Sequence, residues 1–157
     1  MERAKRSLLF WMLLLISIAL PATAQTPVKK ILFQAKIKAL DANTGNYVGK
    51  GVGQITAVPT GLQYYVFTHD TATQVQKVSL RPSDNSWEIV ICETGSLVGN
   101  CKYDIDGNVD MEGPISDTMM ILSGVSGKTL HDTLKAGDLW IHLDNGVLGS
   151  GNFQRLF

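Results

Sequence analysis

The sequence predicts an all-β domain, a sandwich or barrel of about seven to eight short antiparallel strands with one short helix. Three observations carry this. Strand-sized runs recur roughly every 10–15 residues with turn residues between them. Several runs alternate apolar and polar residues with period two. Only one segment pairs helical leucine spacing with a helix stop.

Residues 1–24 stand apart from the domain. Arg3, Lys5 and Arg6 precede an apolar core, "LLFWMLLLISIAL", which Pro21 ends, and "ATA" offers small side chains before Gln25. This is the pattern of a secretory signal cleaved after Ala24. The apolar core is short for a span, which needs about 20 residues. The expected mature domain, residues 25–157, therefore lies outside the cytoplasm, secreted or periplasmic, with no membrane span.

Removing residues 1–24 leaves 133 residues with 11 Lys and Arg against 13 Asp and Glu. That length suits one domain with a core of its own. A chain so near neutral, with no basic block, lacks the footprint of a nucleic-acid binder. Cys92 and Cys101 enclose "ETGSLVGN". In an oxidising compartment they are expected to form a disulfide; a C-x-x-C redox pair would need closer spacing.

Taken in order, "ILFQAKIKAL" places Ile31, Phe33, Ala35 and Ile37 on one face and Gln34, Lys36 and Lys38 on the other. "ANTGN" follows as a turn. "GVGQITAV" runs to Pro59, and "LQYYVFT" has the aromatic and branched composition of a strand. "VQKVSL" precedes the turn "RPSDNS". "SWEIVIC" sets Trp87, Ile89 and Ile91 against Glu88 and Val90. "GKTLHDTLKAG" reads as the helix: Leu130 and Leu134 share a face, Thr129 is a candidate cap and Gly137 ends it. In "LWIHLD", Leu139, Ile141 and Leu143 point one way, and Trp140, His142 and Asp144 the other.

Four segments invite a chemical reading. In "YDIDGNVDME" the residues Asp104, Asp106, Asn108, Asp110 and Glu112 alternate as calcium ligands do. An EF-hand counted from Asp104 needs Gly and Glu where Val109 and Ile115 stand. Asp106-Gly107 reads instead as a two-residue hairpin turn with the acids on a solvated face. Asp104, Asp106, Asn108 and Asp110 remain the calcium candidates. Gly127-Lys128-Thr129 resembles the end of a phosphate loop, but the required upstream glycine is Leu122. The histidines His69, His131 and His142 lack zinc spacing, and no G-x-S-x-G is present. These patterns predict no enzyme and no cofactor. The expected function is a binding module for a protein or glycan, with Trp140, His142 and Asp144 as the candidate ligand face. Two alternatives compete with it. One is a metal-binding exported protein, superoxide-dismutase-like or calcium-dependent. The other is a small outer-membrane β-barrel, prompted by the C-terminal "GNFQRLF".

The C-terminal part, "LHDTLKAGDLWIHLDNGVLGSGNFQ", resembles the end of a CHRD domain, the module named from chordin. Leu130, Leu134, Ala136, Gly137, Leu139 and Trp140 follow that family's order, and Gly149 or Gly151 through Gln154 stand where its last strand closes. "FQAKIKAL" and "GVGQITAVPTGLQYYVFT" resemble its opening strands. The resemblance implies an immunoglobulin-like sandwich or barrel without catalytic activity. The family's central histidine motif falls where Lys77, Ser79 and Arg81 alternate, and its terminal histidine falls on Asp144. The chemistry of those histidines therefore does not carry over to this chain.

Overall fold

The computed structural model describes residues 30–58, 60–69, 75–144 and 147–156. The expected signal segment and its expected cleavage point lie outside the described residues. The all-β class holds. Nine strands, β1 Lys30–Asp41, β2 Tyr47–Val58, β3 Gly61–His69, β4 Lys77–Pro82, β5 Ile89–Glu93, β6 Asp110–Pro114, β7 Leu139–Asp144, β8 Val147–Asn152 and β9 Gln154–Arg155, form one sheet. Its order is β5-β4-β7-β8-β1-β2-β3-β6, with β9 also on β1, and every pairing is antiparallel. The sandwich-or-barrel expectation resolves to a single sheet curled into half a barrel.

Alternation decides what lies inside. Strand β7 buries Leu139, Ile141 and Leu143 and leaves Trp140, His142 and Asp144 half exposed. Strand β1 buries Phe33, Ala35, Ile37 and Ala39 and exposes Lys36 and Lys38. Val66 from β3, Leu80 from β4 and Ile89 and Ile91 from β5 complete the lining of the core. Thr68 is the buried polar exception on β3; its hydroxyl accepts from the Val109 amide at 2.8 Å, which satisfies both groups.

Two helices are present where one was expected. The first, α1 Asp117–Leu122, starts at Ser116, whose side chain accepts from the Met119 amide. Its short apolar run carried no leucine periodicity, so only the capping serine announced it. It lies against β5, one of the two edge strands. The second, α2 Gly127–Ala136, buries Leu130 and Leu134 as expected and ends at Gly137, whose φ of 70° suits glycine. Its cap is Ser126 rather than Thr129: the Ser126 hydroxyl accepts from the Thr129 amide at 3.0 Å. Gly127-Lys128-Thr129 is thus a first helical turn, and Lys128 pairs with Asp132 one turn on.

The disulfide forms as expected, between Cys92 at the end of β5 and Cys101, with an S–S distance of 2.02 Å. The next hairpin differs from its expectation. Tyr103 bridges Val109, and the Asp104 amide donates to the Asn108 carbonyl at 2.9 Å. The loop therefore holds three residues, Ile105, Asp106 and Gly107, not two. A two-residue Asp-Gly turn requires positive φ at both positions. Here only Gly107 has it, at 82°, which is the three-residue pattern ending in a bulge.

Candidate functional site

The outward residues of β7 meet those of β4 because the two strands pair in antiparallel register. Lys77 lies opposite Asp144, Ser79 opposite His142 and Arg81 opposite Trp140. The two rows singled out in the sequence, Lys77/Ser79/Arg81 and Trp140/His142/Asp144, therefore form one patch on the outer face of the curl. A seventh residue, Glu88, reaches it from the segment leading into β5.

Arg81 is the hub of this patch. Its Nε donates to Glu88 Oε1 at 2.8 Å and to Ser79 Oγ at 3.1 Å. Its terminal nitrogen reaches both Glu88 and Asp144. Lys77 Nζ holds the other Glu88 oxygen at 3.0 Å. Ser79 is fully buried beneath these groups although it sits on the outer side of the strand. Among the described residues no buried side-chain polar atom lacks a partner. The network is therefore a satisfied one, the condition under which partly buried charges hold a surface rigid.

The electrostatics follow from this packing. Burial works against the Glu88 charge, but the hydrogen bonds from Ser79, Lys77 and Arg81 outweigh it and hold the carboxyl below its ordinary range. Burial, aided by the Arg81 guanidinium, holds the His142 imidazole below its usual value, and Asp144 and Glu88 only partly offset this. These surroundings disfavour the charged form of His142, whose cross-strand neighbour on β8 is Ser150.

Trp140 stays half exposed on this face. Helix α2 buries Leu130 and Leu134 in the core, as β7 buries Leu139 and Ile141, the alternate residues to Trp140. The other two histidines do not join His142. His69 ends β3, separated from β7 by β8, β1 and β2, and His131 lies on the exposed side of α2. No group of three or more His, Cys, Asp or Glu side chains among the described residues is arranged to hold a metal ion.

The calcium candidates are placed as follows. Asp104 turns inward on its own loop, where Oδ1 accepts from the Asp106 and Asn108 amides, both at 2.9 Å, and Oδ2 from the Asn108 side chain at 3.2 Å. Those bonds outweigh desolvation and hold its carboxyl below the ordinary range. Asn108 is buried, whereas Asp106 and Asp110 are exposed. Asp104 thus serves the turn, and the acids do not face a common centre.

The alternation in each strand disclosed the outward residues, but not which strands are neighbours. Arg81 was therefore missed as the partner of Asp144, and Glu88 as the second carboxylate on Arg81. Their signal was the outward phase of three charged strands, readable only once the order β5-β4-β7 is known. Comparison with family models, curated proteins and solved structures finds no match to this chain.

Proposed function

We propose that the chain is an exported, non-enzymatic binding module, a divergent relative of the CHRD type, that recognises a protein or glycan through the face around Trp140, His142 and Asp144. The observation that carries this reading is the Arg81 network. It holds Asp144 and the backbone around His142 in place beside a half-exposed tryptophan, so little ordering remains to be done on binding. An aromatic ring next to fixed polar groups suits a sugar ring or an aromatic-rich peptide. The leucine-rich core with lysines outside supports a water-facing domain over an outer-membrane barrel, which carries its apolar band outward.

The test is an immobilised glycan and peptide array probed with the purified protein and with Trp140→Ala. Binding that falls at least tenfold in the variant, with an unchanged melting temperature, is the expected result. Equal binding by both proteins, or stoichiometric copper or zinc in the purified protein, would count against the proposal.

A further inference from the structure

The other half of the outer face carries a different surface. Lys38 on β1 lies directly opposite Lys50 on β2, and Lys36 lies opposite Val52. On β3, His69 lies opposite Lys50 and Phe67 opposite Val52. Lys36, Lys50, Val52, Phe67 and His69 border a groove of about 380 Å³. Its floor is Val52 and Phe67, and the Phe67 ring meets His69 edge-on, with centroids 6.3 Å apart. The volume falls at the small end of the range for organic ligands.

Lys77, Arg81 and Lys128 each hold a carboxylate. Lys36, Lys38 and Lys50 are exposed and make no ion pair or hydrogen bond among the described residues. Like charges directly opposite across an antiparallel pair are destabilising. The fold thus keeps an unfavourable cluster of positive charge at the lip of an apolar groove.

We infer that this groove binds a small amphipathic anion, with its apolar body over Val52 and Phe67 and its carboxylate, sulfonate or phosphate at Lys36, Lys38 and Lys50. A small ligand fits better than an anionic membrane. Asp110 lies opposite Phe67, and Glu112 opposite Tyr65, on the same outer face. A flat anionic surface would press on those acids, whereas a small ligand with its anionic head at the β1 and β2 lysines keeps its charge across β3 from them. The inference stands independently of the Trp140 patch, from which β8 separates it.

The probe is decanoate, kept below its micellar concentration and titrated into the purified protein by two-dimensional amide NMR. Saturable shifts are expected at Lys36, Lys38, Lys50, Val52 and Phe67. Octyl glucoside, which lacks the charge, and inorganic phosphate, which lacks the apolar body, are expected to bind at least tenfold more weakly. The triple variant K36E/K38E/K50E is expected to lose at least tenfold in decanoate affinity. The single variant Lys38→Glu replaces a like-charge pair with an opposite-charge pair, so it is expected to melt no lower than the parent while binding decanoate more weakly. Equal binding of decanoate and octyl glucoside, or full affinity in the triple variant, overturns the inference. So does sedimentation with phosphatidylglycerol vesicles in the absence of saturable decanoate binding.

Discussion

Replacing Arg81 with methionine keeps the apolar stem and removes every bond of the hub. Glu88 Oε1, the Asp144 carboxylate and Ser79 Oγ all lose a donor. The side chains of Arg81, Glu88 and Asp144 are 22%, 31% and 25% exposed, so solvent screens them in part. A fully exposed pair contributes about 0.2–1 kcal/mol, and breaking a buried one costs about 3–5 kcal/mol. Lys77 remains on Glu88, whereas Asp144 keeps no other side-chain hydrogen bond or ion pair among the described residues, so an intermediate loss of about 2 kcal/mol is expected. With a urea slope of about 1.5 kcal/mol per molar for a domain of this size, the unfolding midpoint should fall by about 1.3 M. A double-mutant cycle of Arg81→Met with Asp144→Asn isolates their coupling, expected to be at least about 1 kcal/mol. A loss below about 0.5 kcal/mol for Arg81→Met, or additive effects in the cycle, would show that these charges are individually solvated. The rigid-platform reasoning would then fail.

Three further outcomes follow from the structure. Both Glu88 and His142 have folded-state pKa values held below their unfolded ones. Each therefore contributes stability that is complete above its unfolded pKa, roughly 4.3 for Glu and 6.5 for His, and is lost as pH falls through the folded value. Stability should decline in two stages below pH 7, and an NMR titration of His142 should show a higher pKa in Arg81→Met, where one depressing charge is gone; an unchanged value would contradict that assignment. Replacing Cys92 and Cys101 with alanine opens a short ring and should cost roughly 2–3 kcal/mol by loop entropy, read as a lower urea midpoint with an unchanged slope. Gly151→Ala should cost about 1–3 kcal/mol, because its Cβ would meet the Lys36 carbonyl oxygen at 2.5 Å and one strand must move; a midpoint like the parent's would disprove the close approach.

The strands were legible because a half-buried strand writes its burial into period-two alternation. The inward rows of β1, β5 and β7 were each readable from six or seven letters of sequence. The disulfide was legible from the cysteine count and the expectation of export. What alternation does not encode is lateral order. β7 pairs with β4, which lies more than fifty residues earlier in the chain, and nothing local to either strand specifies the other. The candidate site depends on that pairing, so its outward residues were visible while the Arg81–Asp144 and Arg81–Glu88 bonds were not. Turn chemistry failed more narrowly. Asp106-Gly107 marks a hairpin in either register, and the register was decided by Asp104, whose carboxylate gathers the amides of a longer loop.

The glycines of the inner face explain why a single sheet suffices. In β2, Gly51 and Gly53 point inward where a β-branched residue would be the usual choice, and Gly149 and Gly151 do the same in β8. A Cβ at Gly51 would meet the Phe67 carbonyl oxygen at 2.6 Å, and one at Gly149 would meet Leu143 Cδ1 at 2.8 Å. The space at Gly53 is filled by Ile141 and Phe153 reaching across the curl, with contacts of 3.1 and 3.3 Å to an added Cβ. Large side chains from one side of the sheet thus occupy the places left by small ones on the other. A sheet that bends this tightly spreads its outer face, and the outer residues must be held by their own contacts rather than by a covering layer. Around Arg81 that holding comes from paired charges. Across β1 and β2 the charges are alike, which is why an anion is the simplest partner to complete that surface.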